Sequence, residues 1–174
     1  MPAALETITT PLLDISRPRG LTTKADHPPR YIKAHEDPTT LIASVLTANG
    51  APAALADRVQ AICRGVSYSS ERKDPGRVAS LVAQYPELAV VQDADRIDAI
   101  GAVGVGRMFT YGAAMAGRDL DGTMAHLDDK LLLLEGMAKT EVGRALMRER
   151  TERMVEYKRW WADETGFSLG EGGN

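Results

Sequence analysis

At 174 residues the chain fits one domain with room for a sizeable core, and its 44% hydrophobic and 26% charged content is that of an ordinary globular protein. A net charge of −3 supplies no basic field to draw nucleic acid. The single cysteine, Cys63, excludes an internal disulfide and fits a reducing compartment, and no apolar run reaches the roughly 18 residues of a membrane span.

The chain opens on MPAALETITTPLLD, which lacks the basic start and long apolar stretch of a signal peptide, so a soluble cytoplasmic protein without a membrane partner is expected. Five of the nine prolines precede Asp37, and Pro28-Pro29 blocks a helix there, so residues 1–36 read as an irregular arm. Asp37 as cap and Pro38 at the first position then predict a helix with Leu41, Val45 and Leu46 on its apolar stripe, ended by Asn49-Gly50. A second helix is expected from about Pro52, with Leu55, Val59, Ile62 and Cys63 at helical spacing, stopping near Gly65. VSYSSERKDPG reads as a polar loop, followed by a short helix from Arg77 to Gln84. A long helical segment is expected from Pro86 towards Tyr111, and GRDLDG reads as a loop. Another helix follows from Thr123 to Lys139, carrying Leu127, Leu131, Leu134 and Met137. The last helix runs from Thr140 to about Glu164. Val142, Leu146, Met154, Tyr157 and Trp161 recur on one side, while Arg148 to Glu152 and Glu149 to Arg153 pair on the solvated one. Residues 166–174 read as a tail. No strand pattern or internal repeat intervenes, so the expected fold is all-α, a helical bundle over residues 37–165.

Within this chain VVQDADRIDAIG, from Val90 to Gly101, poses a problem. Its apolar residues look like a buried helix, yet it carries Asp93, Asp95, Arg96 and Asp98, and an unpaired buried charge costs several kcal/mol. An internal ion-pair network, a metal site or catalysis would each account for it. On a helix, Asp95, Asp98 and Ala102 share one face, while Gln92, Asp93 and Arg96 share another, with Arg96 in reach of Asp93. The structural alternative is therefore an Asp93–Arg96 pair with Asp98 exposed. GAVGVG, from Gly101 to Gly106, has its glycines in the reverse order of a dinucleotide fingerprint and no strand before it; small residues for close helix approach are the better account. His27 and His35 lie in polar or proline-rich surroundings and read as exposed. His126 stands one turn before Lys130, which places both on one side as either a pocket pair or a surface pair.

QDADRIDAIGAVGVGRMFTYGA, followed by HLDDKLLLLEGMAKTEVGRALMRERTERM, resembles the C-terminal two-thirds of an HD-superfamily metal-dependent phosphohydrolase, in particular the small bacterial and fungal members. The likeness runs from about Asp37 to Glu164 and is most specific in the Asp-rich helix. It implies an HD-domain-like helical bundle and a divalent metal such as manganese, magnesium, cobalt or nickel. The family's late Asp, in an Ala-Asp-Arg context, matches Ala94-Asp95-Arg96, so the resemblance makes Asp95 the metal ligand, with Asp93 and Asp98 as neighbouring candidates. It further implies that Arg96, His126 and Lys130 meet a phosphate-containing small molecule, Lys130 steadying it during catalysis. The family's first His and its adjacent His-Asp pair have no counterpart here. His35-Glu36-Asp37 comes nearest, and Val66 stands where many relatives place another His, so the bundle reads as N-terminally shortened. Three functions are then open: phosphomonoester or nucleotide hydrolysis, weak or lost because ligands are missing; a non-catalytic binding or assembly module on the same core; or a site completed across a homo-oligomer by His27 or His35.

Overall fold

The structure is a computed structural model that describes residues 37–166. The expected arm over residues 1–36, with His27 and His35, and the tail from residue 167 lie outside the described residues. What is described is all-α, and no helix among these residues is long and apolar enough to cross a membrane. The chain divides into two compact units, one up to Leu88 and one from Ala89.

In the first unit, α1 (Leu41–Ala48) packs on α2 (Ala53–Gly65). The expected Asp37 cap is not the one used: the Asp37 carboxylate accepts from the Thr39 amide at 2.8 Å and closes a turn, and the helix begins at Leu41. Its first amides go to α2 instead. Gln60, only 6% exposed, accepts from the amides of Ile42 at 2.8 Å and Ala43 at 3.1 Å. A tertiary contact thus satisfies donors that every helix start leaves orphaned. Along α2 the buried line is Ala56, Gln60 and Cys63, while Leu55 faces outward.

The expected VSYSSERKDPG loop holds a helix, α3 (Tyr68–Lys73), and the short helix expected from Arg77 to Gln84 is present as α4, which starts two residues earlier (Pro75–Gln84). Ser67 accepts from the Ser70 amide at 3.4 Å, and Asp74 from the Arg77 amide at 3.0 Å with Pro75 at the first position. These are N-cap signatures that outweigh a polar composition. Leu88 closes the core of this unit against Gly65, where an added Cβ would stand 2.6 Å from a Leu88 methyl.

The second unit takes up α5 (Glu87–Asp98) from Ala89 onward, then α6 (Gly101–Ala116), α7 (Leu120–Asp129), two 3-10 turns (Leu131–Leu133, Glu135–Met137) and the 25-residue α8 (Glu141–Thr165). The continuous segment expected from Pro86 to Tyr111 is broken at Ala99-Ile100. Gly101 turns the corner at φ +77°, a left-handed conformation that favours glycine. Arg150 of α8 locks that corner: its stem packs over Gly101 and its guanidinium donates to the Ile97 carbonyl at 2.5 Å, at the C-terminal end of α5. Gly104, inside α6, lets the Ala99 carbonyl approach where a Cβ would overlap it. GAVGVG is therefore helix and close-packed corner, as its glycine order suggests.

The helix expected from Thr123 to Lys139 ends at Asp129. The tighter 3-10 period of three then turns Leu131 and Leu134 inward together, at 5% and 1% exposure. They join Ile100, Met108, Met124, Leu127, Met147 and Met154 in the core. On α8 the buried face runs through Gly143, Met147 and Met154, so Val142 and Leu146 lie outside it, contrary to the expected stripe.

Candidate functional site

The four charges of the Asp-rich helix separate into two pairs. Asp93 and Arg96 are buried, at 3% and 1% exposure; Asp95 and Asp98 are exposed. The buried pair grips the segment leading into α8. The Asp93 carboxylate accepts from the amides of Lys139 and Thr140, each at 2.8 Å, and from the Thr140 hydroxyl at 2.7 Å. That hydroxyl also accepts from the Gly143 amide at 2.9 Å, so Thr140 caps α8 while Asp93 holds Thr140. Arg96, one turn along α5, donates to the Met137 carbonyl at 2.7 Å. Gly143 is required at its position because a Cβ there would overlap the Asp93 carboxylate.

The burial of charge in an apolar helix is thereby accounted for. Charge-assisted hydrogen bonds to backbone offset desolvation, and they fix where α8 begins. Asp93, expected as a metal ligand, and Arg96, expected to meet a phosphate, both serve this clamp.

Asp95 occupies the outward side of α5. It touches water, yet protein on its flanks makes burial the largest influence on its carboxyl and raises its pKa above the usual aspartate value. Asp98 adds to the rise, and the charges of Arg96, Lys130 and Arg107 oppose it. Asp98 pairs with Arg107 of α6, which also donates to the Asp98 carbonyl at 3.0 Å.

His126 lies in the last turn of α7, part-buried. Lys130 follows at the C-terminal end, its amide donating to the His126 carbonyl at 3.2 Å. Burial, and then the positive charges of Arg118 and Lys130, lower the His126 pKa, against a smaller opposing effect of Asp129. The electrostatics of Lys130 therefore reach both Asp95 and His126, which relates α5 to the end of α7.

These residues do not fit a divalent cation. Among the described residues no group of three His, Cys, Asp or Glu side chains is arranged to hold one. Among the described residues Asp93 is committed to the α8 cap and Asp98 to Arg107, whereas a fixed catalytic ion needs several protein ligands. Two cations at this site, Arg107 and Arg118, escaped sequence reasoning. Arg107 meets Asp98 only because the chain turns at Gly101, and Arg118 sits in the GRDLDG connection, where spacing carries no signal.

No family model matches the chain. Among curated proteins it is similar to the uncharacterized protein YpgQ of Bacillus subtilis, 40% identical over 108 residues, which is 60% of this chain and 50% of that protein. The chain thus spans about half the length of the curated relative it matches. A crystal structure of YpgQ aligns with it at 35% identity and a TM-score of 0.60, over 71% of this chain and 63% of that one. One YpgQ crystal structure is a complex with ADP, at a TM-score of 0.56. A Lactobacillus plantarum protein aligns at 27% identity and a TM-score of 0.63, over 85% of this chain and 77% of the other. A Bacillus thuringiensis protein described as an HD-superfamily hydrolase matches at 21% identity and a TM-score of 0.49, too distant to carry function. This chain shares its fold with the YpgQ and L. plantarum structures.

Proposed function

We propose that this chain is an HD-superfamily relative that binds a phosphate-bearing small molecule beside Asp95, and that the isolated chain turns over phosphate esters weakly or not at all. One observation carries the reading: the three aspartates of the motif are divided among an α8 cap, an ion pair with Arg107, and the solvent-facing Asp95. Lys130 and His126 supply the cation and the ring N–H suited to phosphate oxygens. The HD-like motif around Asp95 supports the ancestry. The ADP complex of YpgQ makes a nucleoside diphosphate the first ligand to try.

The test uses chelator-stripped protein, with and without added manganese, magnesium, cobalt or nickel. ADP binding is followed by calorimetry, and turnover is measured on phosphomonoesters and nucleotides. The expected result is ADP binding that falls at least tenfold in Lys130→Ala, with turnover near background. Absence of ADP binding to the folded chain would overturn the binding reading. Robust metal-dependent turnover abolished by Asp95→Ala would establish a phosphohydrolase instead.

A further inference from the structure

Helix α8 presents an outward stripe that its own unit does not cover. Val142 is 72% exposed, Leu146 44% and Trp160 53%, and Glu149, Arg153 and Glu156 lie between them. The six positions are spaced 4, 3, 4, 3 and 4, the heptad rhythm of one helix edge that faces another helix. At about 100° per residue this edge lies roughly a third of a turn from the buried line through Gly143, Met147 and Met154. Beside its C-terminal half, a groove of about 590 Å³ runs between α6 and α8, lined by Ala102, Val105, Tyr157 and Trp160 with glutamates along the rim.

The stripe is complementary to itself when reversed. Turned about a two-fold axis near Thr151, Val142 meets Trp160, Leu146 meets the stem of Glu156, and Glu149 meets Arg153, each pairing occurring twice. We infer that α8 is a homodimer interface: two copies of this chain pair their α8 helices antiparallel about Thr151. The charge pattern selects the second copy over an unrelated partner. Glu149 and Arg153 already pair within one helix, and across the axis the same two residues build a four-charge ring of alternating sign. The groove gives the partner's Val142 an apolar seat beside Trp160 and Tyr157. From Val142 to Trp160 the contact extends about 27 Å along the helix, at 1.5 Å per residue. One helix edge and a groove wall place the interface near the lower end of stable complexes, so association in the micromolar range is expected.

Sedimentation equilibrium of the full chain across a concentration series tests this. The mass should rise from 18.8 kDa towards twice that value over the micromolar range. Trp160→Ser and Arg153→Glu should each weaken dimerisation at least tenfold, the second by gathering like charges at the centre. Glu149→Arg combined with Arg153→Glu should restore it, because both the intrahelical and the crossed pairs are rebuilt. All three changes lie on exposed positions and leave the buried face of α8 intact. A chain that stays monomeric at several hundred micromolar overturns the inference, and so does a dimer whose affinity neither single variant alters.

Discussion

Replacing Asp93 with alanine removes the acceptor for three donors at once: the Lys139 amide, the Thr140 amide and the Thr140 hydroxyl, at 2.8, 2.8 and 2.7 Å. Hydrogen bonds to a charged group contribute roughly 1.5–3 kcal/mol each, and a lost helix cap about 1 kcal/mol. The three share one carboxylate, and Thr140 keeps its bond with Gly143, so simple addition overcounts. A loss of about 3–5 kcal/mol is expected, a large part of a typical stability of about 5–15 kcal/mol. At roughly 3 °C per kcal/mol, the midpoint should fall by about 10–15 °C. Asp93→Asn keeps the shape and one oxygen but turns an NH₂ towards donors, and should lose about 2–3 kcal/mol. Urea melts followed by helical circular dichroism would be run both with a chelator and with added manganese. A capping role requires the same loss in both. Less than about 1 kcal/mol lost in Asp93→Ala would refute the clamp, and a loss confined to the manganese sample would return Asp93 to the metal ligands.

Gly143→Ala forces a Cβ into the space of the Asp93 carboxylate and should cost about 2–3 kcal/mol, the range of overpacked cores, despite alanine's better helix propensity; a neutral or stabilising effect in the same melts would show that α8 can shift. Gln60→Ala strips the acceptor from Ile42 and Ala43 and should cost about 1–2 kcal/mol, with faster hydrogen exchange confined to those two amides, whereas Gln60→Glu should retain their protection. His126 has a lowered pKa, so the unfolded chain binds its proton more readily than the folded one. Stability should therefore be complete above the ordinary His value near 6.5 and decline as pH falls through 6.5 towards the lowered folded value. His126→Gln should flatten that part of a stability-against-pH curve, and an unchanged slope would place the dependence elsewhere.

Local chemistry was sufficient for much of this molecule. The all-α class follows from the absence of alternating apolar runs, and Thr140 announces the start of α8 because a cap acts on amides only two or three residues away. Asn49-Gly50 and Gly65 mark their stops for equally local reasons, and the Ser67 and Asp74-Pro75 caps were legible too, although their polar setting hid them. What lay beyond sequence reading are the partners that the chain brings from a distance. Gln60 caps a helix 18 residues earlier, Asp93 holds a threonine 47 residues later, and Arg150 closes a corner 53 residues before it. No spacing rule reaches that far. The same limit governed the Asp-rich motif, whose residue types are shared by a metal site and a structural clamp. Only the turn at Gly101 and the approach of the Met137–Thr140 segment decide which carboxylate is buried and satisfied, and which are left facing water. Burial divides them because a carboxylate survives away from water only where donors meet it, and for Asp93 those donors stand on the backbone that leads into α8.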